Sequence, residues 1–162
     1  MTDDDRIEIL GEAQRHGLYG FHGECGEVAI ALNDVLFCGE ADIFGAVNMP
    51  LYKREDRFVG HVGVRPVGFG DDIRVWDAEG VYEGEEGYDE FLAKGMLDPE
   101  DSDYSFESEQ EAFDSEIISL TPERVRELLP WCGKYNPHKV LKDAAKKVLA
   151  EKKPKKKRRA RR

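Results

Sequence analysis

The chain has 162 residues, 40% of them hydrophobic, with a formal net charge of −10. That is enough apolar material for one packed domain and excludes a wholly disordered chain. Three cysteines (Cys25, Cys38 and Cys132) are too few and too odd in number for a disulfide framework, which points to a reducing compartment. The acidic opening, Met1 to Arg6, lacks the basic-then-apolar pattern of a secretory signal, and no apolar run approaches the roughly 18 residues a membrane span needs. The expectation is a soluble protein with no membrane partner, cytoplasmic or inside a host cell, and nuclear if that host is eukaryotic. Charge is unevenly spread. Nine Lys or Arg residues fall between Lys152 and Arg162, leaving 15 basic against 34 acidic residues in a body near −19.

In chain order, residues 6–15 read as a short first helix, and the glycine-rich stretch 16–23 as a loop. From Glu24, apolar residues recur at helical spacing (Val28, Leu32, Val35, Leu36) with Ala29 and Ala31 beside them, and Cys38-Gly39 marks the stop. This helix is apolar on most faces and is expected at the centre of the fold. Residues 42–52 are apolar but broken by Gly45 and Pro50, and read as a strand or an irregular link. Two alternating runs, 58–68 and 72–78, flank Gly68-Phe69-Gly70-Asp71-Asp72 and predict a hairpin. Glu83–Gly87 reads as a turn, 88–94 as a short helix, and the acidic stretch 97–115 as a surface loop. Ile117–Leu120 reads as a strand. Thr121-Pro122 then carries the N-cap and first-turn proline of a helix running to about Leu129, and another helix begins near Pro137. The domain is expected over 1–151, with a disordered polybasic tail over 152–162.

Three residues stand in settings that thiol catalysis requires. Cys25 lies in Gly23-Glu24-Cys25-Gly26 at the head of the apolar helix. A thiol becomes a good nucleophile as thiolate, which a helix N-terminus and a neighbouring imidazolium both favour. His61 opens one alternating run and Asp77 closes the next. A count around Phe69 pairs them across the hairpin, where the carboxylate would fix the imidazole's tautomer. Gly60 and Gly63 on either side of His61 would leave room for a substrate chain, and the amide of Cys25 would help hold an oxyanion.

The order Cys25, His61, Asp77 and its local contexts resemble the papain-like and transglutaminase-like cysteine enzymes over about residues 20–82. The resemblance implies an α+β fold, with a central helix packed on a small, mostly antiparallel sheet and followed by C-terminal helices. It implies Cys25 as nucleophile, His61 as base and Asp77 as its orienter, acting on a peptide or amide substrate without a cofactor. The glutamine that such enzymes place six residues before the cysteine is Tyr19 here. Its hydroxyl, or His22, would supply the second oxyanion donor. The usual aromatic after the cysteine is Gly26.

Plainer readings stand beside these. Cys25 would serve equally as a small buried helix residue, and Asp77 as an ordinary turn residue. A zinc site from His22, Cys25, Cys38 and His61 is disfavoured, because thirteen helical residues separate the two cysteines by about 20 Å, so no metal is expected. The tail residues Lys152, Lys153, Lys155, Lys156, Lys157, Arg158, Arg159, Arg161 and Arg162 would bind phosphate backbones without sequence preference, and resemble a short basic nuclear-import signal. Two function classes follow: a cysteine-dependent acyl-transfer enzyme, and a non-catalytic protein that docks on nucleic acid through its tail. A compact viral accessory protein would suit either.

Overall fold

A computed structural model describes residues 1–20, 24–48, 58–66, 74–94 and 116–153. Within them the chain is α+β, with five helices and one five-stranded antiparallel sheet. Helix α1 (Asp3–Arg15) begins at a capping box, in which Thr2 accepts from the Asp5 amide and Asp5 accepts from that of Thr2. Helix α2 (Cys25–Leu36) is followed by β1 (Asp42–Asn48), β2 (Phe58–Arg65), β3 (Arg74–Trp76) and β4 (Val81–Glu83). Helix α3 (Gly84–Lys94), strand β5 (Glu116–Leu120), helix α4 (Pro122–Leu128) and helix α5 (Pro137–Lys152) complete the order. The spatial order of strands is β4-β3-β2-β1-β5.

Alternation along the strands divides the core into two layers. Ile43, Val62, Val64 and Trp76 pack with α1, α2 and α5. Phe44, Ala46, Val75 and Tyr82 pack with Phe91 and Leu92 of α3. Helix α2 is buried on nearly every side, as its all-round apolarity requires. Its C-terminal connection is fixed by Asn33, whose side-chain amide pairs with both the N–H and the C=O of Ala41 at 3.0 Å. The cap expected at Thr121 is present, accepting from the Arg124 amide, and α5 is capped by Asn136, which accepts from the Lys139 amide.

The structure departs from the sequence reading in three places. The turn expected at Glu83–Gly87 is the end of β4 and the start of α3. Gly84 turns the chain at φ +69°, and Gly87 lies so close to the Tyr82 backbone that a Cβ would come within 2.9 Å of it. The hairpin register sets Val64 opposite Trp76, which centres it on residue 70 rather than Phe69. Extended, that register puts Gly63, not His61, level with Asp77. The space at Gly63 is filled by the Phe91 ring, 2.6 Å from where a Cβ would stand, not kept for a substrate chain. Gly26 likewise admits α4, since a Cβ there would meet Val125 at 2.8 Å and Leu129 at 3.1 Å. The turn at 68–72, the acidic stretch 97–115 and the tail beyond Lys153 lie outside the described residues.

Gly63→Ala therefore overpacks a rigid ring in the core. Urea denaturation is expected to show a loss of about 1–3 kcal/mol, whereas Gly80→Ala, where a Cβ meets nothing within 4 Å, should change stability by less than about 0.5 kcal/mol.

Candidate active site

Cys25 is the first residue of α2. The preceding Glu24 gives the helix no side-chain cap, so the first-turn amides are not claimed from that side. One oxygen of the Glu24 carboxyl is buried with no hydrogen-bond partner among the described residues. The approach to the helix is held by Tyr135, whose hydroxyl accepts from the Tyr19 amide at 3.2 Å and donates to the Tyr19 carbonyl. Gly20 then lies against Cys25, with a built Cβ 3.6 Å from its Cα and 3.1 Å from the Ala78 methyl.

His61 belongs by alternation to the α3 face of the sheet, and its ring packs on Phe91 at 4.9 Å. The pairing of β1 with β2 is regular up to Ala46↔His61 and then shifts to Val47↔Val59. Gly60 is the extra residue of this bulge, a device that re-aims the adjacent side chain. Strand β3 has ended at Trp76. Past that end, His61 meets the Cys25 thiol on one side and Asp77 on the other.

Asp77 uses both carboxylate oxygens. Oδ1 accepts from the amides of Glu79 at 2.8 Å and Gly80 at 3.2 Å, and the Asp77 amide donates to the Gly80 carbonyl. This is the aspartate-built turn that connects β3 to β4. Oδ2 accepts from His61 Nε2 at 2.8 Å and from Lys94 Nζ at 3.2 Å. Gln14 of α1 donates to the Ala78 carbonyl at 2.8 Å and braces the same turn.

All three side chains are buried: Cys25 is 5% exposed, His61 8% and Asp77 3%. The cavity between them is lined by Gly20, Cys25, His61, Asp77, Ala78 and Glu79, among others, and its volume of about 10 Å3 admits about one water. Burial alone would push the His61 imidazole down. The Asp77 hydrogen bond and the hydrogen bond and negative charge of Cys25 outweigh it and raise the imidazole to about 9. Burial would likewise raise Asp77, but the bond from His61 and the charge of Lys94 hold its carboxyl below the usual range. With Nε2 engaged by Asp77, Nδ1 is the ring nitrogen left for a further partner.

The structure thus brings Cys25, His61 and Asp77 together. Tyr19 is not among the residues lining the cavity: the residue is 40% exposed and its ring packs on Tyr135 at 5.1 Å. His22 lies outside the described residues. Cys38 and Cys132 are exposed, and no group of three or more metal-ligating side chains occurs among the described residues. Lys152 ends α5 and bonds Asp5 at 2.6 Å and Glu8 at 3.0 Å, so it belongs to the folded body rather than to the tail. The sequence reading did not single out Lys94 or Phe91. Both lie on α3, and their only sequence signal is a helical pattern with no spacing that ties them to Asp77.

An open groove of about 480 Å3 adjoins the site through Glu79 and is lined also by Glu83, Glu86 and Glu90. No helix among the described residues is long and apolar enough to cross a membrane. No family model, curated protein or solved structure matches the chain.

The His61 contribution to stability has a definite sign. Its folded value, about 9, exceeds the ordinary 6.5, so the stabilisation is present in full below about pH 6.5 and is lost as pH rises through about 9. Asp77, held low, contributes above about pH 3.8 and loses its contribution as pH falls below that. The difference in unfolding free energy between wild type and His61→Gln is expected to shrink steadily between pH 6.5 and 9. A pH-independent difference would contradict the charged pair.

Proposed function

We propose that this chain is a cysteine-dependent acyl-transfer enzyme of the papain-like or transglutaminase-like kind, acting on an amide or isopeptide bond. The observation that carries the reading is the 2.8 Å bond from His61 Nε2 to Asp77 Oδ2, made by an imidazole whose other side meets a thiol at a helix start. With the proton held on His61, sulfur attacks the substrate carbonyl. The amide of Cys25 faces the developing oxyanion. His61 returns the proton to the leaving amine as the C–N bond breaks, and a thioester on Cys25 remains. Water then attacks the thioester, giving up its proton to His61 and releasing the acid and the thiol. An amine in place of water gives a transferred acyl group, but hydrolysis needs no second substrate site and is preferred. The acidic groove beside Glu79 favours cationic substrates. Because the closed cavity admits about one water, the acyl group is accommodated only when the walls at Gly20 and Ala78–Glu79 part.

The test is intact-protein mass spectrometry with a panel of Lys- or Arg-bearing activated amides and esters. A substrate-derived adduct is expected on Cys25, with His61→Ala reducing its rate by about 100-fold or more. Cys38 and Cys132, both exposed, serve as internal controls for ordinary thiol reactivity. Acylation confined to those two cysteines would overturn the proposal.

A second reading is favoured by the 5% exposure of Cys25: the trio is a structural hydrogen-bonded centre, and the protein docks on nucleic acid through its basic C-terminus. The residues concerned beyond Lys153 lie outside the described structure. This reading expects duplex binding that weakens steeply with salt and disappears on deletion of residues 153–162. Binding that survives the deletion would remove it.

A further inference from the structure

The Lys94 ammonium, at the end of α3, meets three groups at once. It donates to Asp77 Oδ2 at 3.2 Å, to Glu79 Oε2 at 2.6 Å and to the Tyr82 hydroxyl oxygen. Its side chain is 22% exposed, while that of Asp77 is 4% exposed, and its partners Glu79 and Tyr82 both line the groove. Two cations therefore share one carboxylate oxygen, with the imidazole on one side and the ammonium on the other.

We propose that Lys94 is a positioning residue for this site: it anchors the Asp77 carboxylate against Glu79 and Tyr82, and by competing for Oδ2 it lowers the proton affinity of His61 below what Asp77 alone would impose. The proposal deepens the acyl-transfer reading and rests on it for its functional meaning. An imidazole held too tightly as imidazolium is a poor acid toward the leaving amine. A second positive charge on the same oxygen repels the imidazolium, and because the site is buried this repulsion is weakly screened. Glu79, 50% exposed at its side chain, partly neutralises Lys94 and so moderates the effect. The other groups facing the pair are the Cys25 thiol from α2 and the Tyr82 hydroxyl from β4. Among the described residues, β1 presents the apolar Ala46 opposite His61, and α3 adds the Phe91 ring.

The experiment is NMR titration of the His61 imidazole in the full chain, comparing wild type, Lys94→Met, Lys94→Arg and Glu79→Gln. Lys94→Met is expected to raise the midpoint by about one pH unit, a tenfold gain in proton affinity. Glu79→Gln should lower it by about half a pH unit, because Lys94 then acts unneutralised. Lys94→Arg should restore the wild-type value. A purely structural role for Lys94 does not produce shifts of opposite sign. Midpoints unmoved within about 0.2 pH units, or moving the same way in Lys94→Met and Glu79→Gln, would overturn the proposal. Should Lys94→Met fail to fold, Glu79→Gln decides alone: a lowered midpoint supports the proposal and an unmoved one overturns it. The titration reads His61 whether or not Cys25 acylates. Failed acylation with the expected shifts therefore condemns the reaction and leaves the electrostatic role of Lys94 standing.

Discussion

The carboxylate of Asp77 is the constraint on which the site depends. Its Oδ1 closes the β3–β4 turn through two backbone amides, and its Oδ2 is shared by His61 and Lys94. One side chain thereby fixes the path of the chain and the orientation of the imidazole. A carboxylate this buried is tolerated because its charge is met by four hydrogen bonds and two cations. Removing such a partner strands the remaining charges in a poorly solvated place, at a typical cost of about 3–5 kcal/mol. The plain and the chemical readings of Asp77 are therefore not alternatives: the turn residue and the orienting residue are the same atoms at work on two sides.

The same burial that strengthens these interactions limits access. A thiol in a cavity with room for about one water sits well for the hydrolytic half of a reaction and poorly for admitting an acyl group. The walls differ in character. Helix α2 is the most enclosed element of the fold, whereas Gly20 belongs to a short connection and Ala78–Glu79 to a tight turn, so opening by those two walls disturbs the core least. Glu79 lines both the cavity and the acidic groove and pairs with Lys94, which links the charges around the imidazole to that surface.

Helical periodicity made α2 legible, and the Thr121 cap with its following proline made α4 legible from residue chemistry alone. The trio was also legible in order and setting, because a thiol at a helix start and two polar residues bounding alternating runs are local patterns. What escaped the sequence depends on contacts between distant segments. Gly63 read as room for substrate, but the space it leaves belongs to the Phe91 ring, supplied by a helix far along the chain. The hairpin count missed its pairing by two residues because symmetry about Phe69 takes no account of strand pairing. The Gly60 bulge is invisible for a related reason: an extra residue in one strand shows only against its partner. Tyr19 read as an oxyanion donor from its distance to Cys25 in the chain, whereas its backbone is captured by the Tyr135 hydroxyl and its ring packs on that of Tyr135.

The central physical claim is that His61 and Asp77 form a charged, mutually dependent pair. A double-mutant cycle measures it most directly, with unfolding free energies at pH 7 for wild type, His61→Gln, Asp77→Asn and the double variant. A coupling of about 1.5–3 kcal/mol is the predicted result, as for a buried hydrogen bond between charged groups. Additive losses, with coupling below about 0.5 kcal/mol, would show two independent buried residues and contradict the account.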